Sequence, residues 1–368
     1  MRLRLSKDQL NSALSIVTRA LPSRTTMPIL EGIYLEAEGD HAKMICTDLQ
    51  KGIETDLPAM ILEEGSTVLP GRLFTEVARK LPDGDVEISV EEGTITMDCL
   101  FSHTTLQAQD PEEYPSLPTV ESAIPIVVGQ LKFKDMIRQT IFAAATEELR
   151  PALTGALLEI NGQACRLVAL DGFRLALRQT VLGEDYGSLS AVIPGASLQD
   201  IAKVLSSSEE DKMRLTLTAT HLLADMGNTR FITRLLDSEY VKYSQILPSE
   251  WQTRVKVSTA EFGAALERAS TLAREGRNNL VRFLLGSSEM TMKADSEMGQ
   301  AVERISCQME GEELEIAFNA RYMSDVLKNL DEDEMYLCFN TNISPCVIRP
   351  VEGEDFLYLV LPVRFKND

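Results

Sequence analysis

The chain has 368 residues, 44% of them hydrophobic and 25% charged, the mix of a soluble globular protein of two or three domains. Its formal net charge of −20 argues against a surface that binds nucleic acid or anionic lipid generically. No apolar run reaches the roughly 18 residues of a membrane span, and MRLRLSKDQL has no signal-peptide core.

The first predicted element is an amphipathic helix over 6–20, with Ser6 as its N-cap. From Pro28, PILEGIYLEAEGDHAKMICTDLQKGIETDL alternates apolar and polar residues (Ile33-Tyr34-Leu35-Glu36, Lys43-Met44-Ile45-Cys46) and reads as strands. A shorter helix, PGRLFTEVARKL (70–81), precedes the acidic loop PDGD and the alternating strand Val86-Glu87-Ile88-Ser89-Val90. DPEEYPSLP (110–118) closes the section. The same order then returns: a helix over 131–145, strands in PALTGALLEINGQACRLVALDGFRLALRQT from Pro151, and a Pro-Gly helix over 194–205. The loop SSSEED, the strand Met213-Arg214-Leu215-Thr216-Leu217 and DSEYVKYSQILP (237–248) complete it. A third pass has a helix over 258–273, with Ser258 and Glu261 as a capping box, and strands in NLVRFLLGSSEMTMKADSEMGQAVERI. It ends with a helix over 318–330, the loop DEDE and a last strand, FLYLVLPVRF (356–365). Gly32 precedes Asp48 by 16 positions, as Gly155 precedes Asp171; the third pass keeps only the Asp, as Asp295.

Repetition at this period predicts three tandem similar domains, 1–122, 123–249 and 250–368, with Pro-rich linkers near 118–128 and 246–256. Each consists of two βαβββ-type halves. The class is α+β, and short hairpin connections favour antiparallel sheets.

The six helical segments with their flanks carry 16 Lys and Arg against 10 Asp and Glu, +6, which leaves −26 for the remainder. Two readings stand: Lys and Arg favour helices and their C-termini, or the helices face an anionic partner. No catalytic constellation accompanies them. GxxxxGK[ST], GxGxxG, HExxH and GxSxG are all absent, and His41, His103 and His221 stand in unrelated contexts. Glu209-Glu210-Asp211 and Asp331-Glu332-Asp333-Glu334 lack the spacing of a calcium loop and read as solvated turns. Six scattered cysteines (Cys46, Cys99, Cys165, Cys307, Cys338, Cys346) without a CxxC pair are the pattern of reduced cytoplasmic thiols, with neither disulfide nor metal expected. The sharper motif is ALDGFRLAL (169–177). Asp171-Gly172 is a hairpin turn signal, followed at once by Phe173 and Arg174, residue types of which binding hot spots are made.

Arg24 with PIL (28–30), Thr47-Asp48, RPALTG (150–155), LDGFRLA (170–176), FNARY (318–322) and LPVR (361–364), in this order and spacing, resemble the bacterial DNA polymerase III beta subunit, the sliding-clamp family, over essentially the whole chain. The resemblance implies a DNA clamp fold with short helices lining a ring and antiparallel sheets outside. It implies a cytoplasmic, head-to-tail homodimer around duplex DNA, a processivity factor with no enzymatic activity and no cofactor. Geometry agrees on the stoichiometry: helices packed about 8–10 Å apart make a ring of six with an opening of about 10 Å, and a ring of twelve with one of about 28 Å. Only the second admits a duplex of about 20 Å.

By resemblance Arg24, Arg72 and Arg150 meet DNA, with Pro151 and Ala152 where the family often has tyrosines. A pocket for short peptides with a Gln and Leu/Phe-type anchors maps onto Leu153, Leu170, Gly172, Phe173, Arg174, Leu175, Val241, Ile246, Asn319, Tyr322, Ile343, Pro345, Leu359, Val360, Leu361, Pro362, Val363 and Arg364. Its partners would be the polymerase III catalytic subunit, the clamp loader, other polymerases and repair proteins. Phe173 stands where many members have His, and Lys366-Asn367-Asp368 extend past the usual end, placed to shade the pocket. The dimer interface is expected near Thr104 and Leu106 on one face and Thr271 and Leu272 on the other, with Thr104 replacing an aromatic of some relatives. Removing the Arg174 side chain is expected to abolish peptide binding without unfolding. The alternative is a specialised second clamp that serves as an interaction scaffold.

Overall fold

All six predicted helices form, and each is the α of a βαβββ unit. The first unit is β1 (Arg2–Ser6), α1 (Lys7–Val17), β2 (Gly32–Glu38), β3 (His41–Thr47) and β4 (Lys51–Leu57). After β5 (Met60–Glu63), the second is β6 (Gly65–Pro70), α2 (Gly71–Lys80), β7 (Asp85–Glu91), β8 (Thr94–Cys99) and β9 (Ser102–Gln107). The third is β10 (Ile126–Gly129), α3 (Gln130–Arg138), β11 (Gly155–Asn161), β12 (Ala164–Leu170) and β13 (Arg174–Val181). The fourth is β14 (Ser188–Pro194), α4 (Gly195–Val204), β15 (Lys212–Leu217), β16 (His221–Asp225) and β17 (Thr229–Arg234). The fifth is β18 (Thr253–Ser258), α5 (Thr259–Ala273), β19 (Leu280–Leu285), β20 (Glu289–Ser296) and β21 (Gly299–Ser306). Following β22 (Gln308–Glu310), the sixth is β23 (Leu314–Asn319), α6 (Ala320–Leu327), β24 (Glu334–Phe339), β25 (Cys346–Pro350) and β26 (Phe356–Val360). The computed structural model describes residues 1–120, 124–147, 150–276 and 279–365. The expected shading by Lys366-Asn367-Asp368 lies outside these.

Local chemistry sets the element ends. Ser6 caps α1 in a full capping box with Gln9, and Ser258 accepts from the Glu261 N–H at the start of α5. The helix expected over 131–145 stops at Arg138. Buried Thr140 turns its hydroxyl back to the Met136 carbonyl, a competing main-chain bond, and a 3₁₀ turn over Ile141–Ala143 follows. The helix expected over 318–330 spans Ala320–Leu327, because Phe318 and Asn319 end β23 and Asn319 caps the helix. The strand expected to run to 365 ends at Val360, since Pro362 has no N–H to continue a ladder.

The repeat has a physical basis. A Cβ on Gly32 would lie 2.2 Å from Val68 Cγ1, and one on Gly155 2.3 Å from the Ile193 carbonyl oxygen, so both strands pass too close to a neighbour for any side chain. Asp48 accepts from the N–H groups of Gln50 and Lys51, and Asp171 from those of Phe173 and Arg174, the same Asx turn in two hairpins. Asp295 is not their counterpart. Ala294 faces Ala301 as Cys46 faces Ile53 and Ala169 faces Ala176, which puts Asp295 at the strand position of Thr47 and Leu170. It pairs with Arg282 at 2.5 Å instead.

Two compact bodies result. One comprises Met1–Leu131 with Lys203–Leu235, the other Lys132–Ala202 with the chain from Leu236 onward. The first holds a five-stranded sheet, β5-β1-β7-β8-β9, and an eight-stranded one, β10-β15-β16-β17-β4-β3-β2-β6. The second holds a nine-stranded sheet, β14-β11-β12-β13-β26-β25-β24-β18-β22, and a four-stranded one, β21-β20-β19-β23. The two larger sheets each cross a repeat border, through β17 on β4 and β26 on β13. Helices pack on one face: α1 buries Leu10, Leu14 and Val17 on β3 and β4, each side chain contributing roughly 1.5–3 kcal/mol. No helix among the described residues is long and apolar enough to cross a membrane.

Candidate partner-binding site

One end of the nine-stranded sheet collects four strand termini. β12 ends at Leu170, β13 begins at Arg174, β26 ends at Val360 opposite Arg174, and β25 begins at Cys346 opposite Val360. The loops that leave these termini carry most of the predicted pocket. Gly172, at φ +92°, takes the left-handed turn conformation, and Phe173 stands 57% exposed at the tip. The ring of Phe173 stacks on that of Tyr322 from α6, centroids 5.9 Å apart at 17°.

Arg174 is largely buried and bonded to three partners of the protein. Its Nε donates to Asp171 at 3.0 Å, one terminal nitrogen to Asp325 at 2.6 Å and the other to the Phe142 carbonyl at 2.7 Å. The guanidinium lies 4.8 Å from the Tyr322 ring centroid and 5.6 Å from that of Phe142, with the side chain 9% exposed. Three segments distant in sequence are thus tied by one cation. Three of its five N–H donors thus hold the Asp171 turn against α6 and the Phe142 segment.

Leu153, Leu170, Leu175 and Leu359 form the floor, in one buried cluster with Val347, Tyr240 and Tyr243. Val360 is wholly buried and does not reach the surface. The Leu361 N–H bonds to the Phe173 carbonyl at 2.8 Å and the Val363 N–H to that of Ala317 at 2.8 Å, so the last segment is fixed although it leaves the strand. Arg364 beyond it is exposed and has no ion pair among the described residues. Val241, Ile246 and Ile343 present exposed apolar side chains, Pro345 sits in the loop with Ile343, and Asn319 is used as the α6 cap. The segment with Val241 and Ile246 is anchored by two tyrosines: the Tyr240 hydroxyl donates to the Val168 carbonyl at 3.2 Å, that of Tyr243 to Glu159. Burial and this carboxylate push the Tyr243 phenol up to about 12.

Sequence reasoning missed Asp325, the Phe142 carbonyl and the two tyrosine anchors. Only Asp325 left a signal, standing three residues after Tyr322 on the same helix face. Of the residues expected at DNA, Arg72 donates to the Pro22 and Ser23 carbonyls at 3.3 and 2.8 Å, fixing the turn that carries exposed Arg24. Exposed Arg150 opens the 3₁₀ turn Pro151–Thr154 in the other body. Thr104 and Leu106 lie half-buried on edge strand β9. Thr271 and Leu272 lie in the last turn of α5, a helix packed on β20 and β21 and tied to β21 by Arg268 and Glu303 at 2.7 Å.

Three family profiles match the chain in order: the N-terminal domain of the DNA polymerase III beta subunit over residues 1–118, its central domain over 127–242 and its C-terminal domain over 244–364. The chain is 37% identical to the beta sliding clamp of Bacillus subtilis over 378 aligned positions, covering 99% of this chain and 100% of that one. The crystal structure of the DNA polymerase sliding clamp from Bacillus subtilis superposes with a TM-score of 0.95 at 36% identity, covering all of both chains. That of the beta subunit from Thermotoga maritima does so with 0.92 at 28%, covering 99% of this chain and 100% of that one. Six βαβββ units in three matched domains define a three-domain DNA clamp fold. Within that class the chain belongs to the DNA polymerase III beta subunit family, the beta sliding clamps.

Proposed function

We propose that two copies of this chain, each with domains 1–122, 123–249 and 250–368, join head to tail into a ring around duplex DNA, and that the ring tethers polymerase, clamp loader and repair proteins through peptides docked on the Phe173 site. One observation carries this reading. Two of three equivalent strand junctions are made within the chain, and the third is left open. In the first, the third residue of β4 faces the third of β17, Ile53 opposite Phe231; in the second, the third of β13 faces the third of β26, Ala176 opposite Tyr358. The remaining equivalents, β21 and β9, are both sheet edges with no second neighbour among the described residues. Edges of this kind are templates for another chain. Joining β9 of one copy to β21 of the next would make a nine-stranded sheet, the size of the one already present.

The internal junctions also supply the register. Thr104 and Ala301 are the third residues of β9 and β21, so they should face each other across the interface. Hydrogen bonds from Asp56 to Asn228 and from Arg234 to Gln50 make the Ile53–Phe231 pair a non-hydrogen-bonded one. At such pairs Cα atoms lie about 4.5 Å apart, within disulfide range. Thr104→Cys with Ala301→Cys should therefore yield a covalent dimer under mild oxidation, read on a non-reducing gel. The native thiols will not interfere: all six are buried, and burial pushes Cys165 to about 12 and Cys338 to about 11. Failure of the pair to cross-link, alongside cross-linking of a one-residue-shifted pair, would refute the register.

Arg24, Arg72 and Arg150 are proposed to meet phosphates. Exposed, few and without an ion pair among the described residues, they suit a protein that must be retained by topology and held only weakly by charge.

A further inference from the structure

Two adjacent apolar side chains stand in the open at the start of β9, the strand proposed to join two copies. β8 and β9 are linked by a two-residue turn between Cys99 and Ser102, and its residues Leu100 and Phe101 are 73% and 89% exposed. Leu100 takes φ +55°, the left-handed conformation for which such turns favour glycine. Its counterpart at the first junction, four residues before Phe231 as Leu100 is four before Thr104, is Gly227 at φ +91°. The internal junctions show what faces this turn. The Asp56 N–H donates to the Asn228 carbonyl at 2.8 Å in the first, and the Gln179 N–H to that of Asp355 at 2.8 Å in the second. Asn228 and Asp355 precede the third residue of their strands by three, and Asp56 and Gln179 follow theirs by three. The same count from Thr104 and Ala301 sets Phe101 opposite Arg304 of the next copy.

We infer that the Leu100–Phe101 turn anchors the interface between copies, the Phe101 ring stacking on the Arg304 guanidinium of the next copy. The inference rests on the proposed β9–β21 junction and names the side chains that fit it to a second copy of this chain. Directly opposed residues of an antiparallel pair share a face. Here that face is the outward one on both strands, because Phe101, His103 and Thr105 are exposed, as are Gln300, Val302 and Arg304. The ion pair of Arg304 with Glu289, at 3.6 Å with both side chains more than half exposed, is weak enough to release the guanidinium. A guanidinium over a ring already spans the second junction, where Arg178 lies 5.7 Å from the ring centroid of Phe356, the residue facing it.

The test is a double-mutant cycle on the full-length protein, with association read by light scattering across a dilution series. Phe101→Ala and Arg304→Ala should each weaken association about tenfold, and the double variant no more than Phe101→Ala alone. Phe101→Lys, which opposes two cations, should weaken it further, and adding Arg304→Glu to Phe101→Lys should restore it. Association unchanged by Phe101→Ala, losses that simply add in the double variant, or a charge swap that restores nothing each overturn the inference. The Thr104→Cys, Ala301→Cys cross-link separates this from the reading beneath it. With the cross-link formed, only the Phe101–Arg304 contact falls; without it, the β9–β21 junction falls as well. Both positions are exposed, so circular dichroism should show every variant folded as the wild type.

Discussion

Arg174→Ala should lower the stability of its body by about 3–5 kcal/mol and weaken peptide binding at least tenfold. Removing one partner of a buried ionic network leaves the others uncompensated. Here Asp171 and Asp325 lose their cation together, and the Phe142 carbonyl loses its donor. The Asx turn that presents Phe173 then keeps its main-chain bonds to Asp171 and loses its tie to α6. Arg174→Lys should recover little of either quantity, because a point ammonium cannot reach three acceptors that a planar fork spans. Denaturant titration and peptide affinity measured on the same preparations check this. A variant with unchanged unfolding and lost affinity would return Arg174 to direct contact with the ligand.

Thr105→Pro should convert the dimer to a monomer while leaving the monomer folded. Thr105 is equivalent to Ile232, which belongs to a hydrogen-bonded pair with Gly52, so its N–H points away from β8 toward the proposed partner strand. Proline removes that donor and puts its ring in the interface, yet an edge strand tolerates it where the N–H faces solvent. The lost hydrogen bond alone costs about 1 kcal/mol, and with the ring in the interface association should weaken at least tenfold. Light scattering across a dilution series reads the change, with circular dichroism as the control for folding. A dimer that survives unchanged would contradict the β9–β21 junction.

Much of this architecture was legible in the sequence because its signals are local. Helix caps at Ser6 and Ser258, alternation along the strands and the Asp171-Gly172 turn each lie within a few residues of what they determine. The boundaries that failed depended on the surroundings. Thr140 ends α3 by turning its hydroxyl to the main chain in a buried setting, and Asp295 stands one position early because Ser296 holds the place of Asp48 in a hairpin of the same length. In the site, the turn and its exposed Phe173 were legible, but the work of Arg174 was not. Its partner Asp325 is 151 residues away, so the ion pair is set by the tertiary fold.

The central claim is topological retention on DNA. Clamps loaded by the cognate loader on a nicked circular plasmid should stay bound through gel filtration in moderate salt. Cutting the same plasmid once with a restriction enzyme should release them within minutes, as the rings run off the ends. Equal retention on the circular and the linear form, or equal loss from both, would contradict encirclement.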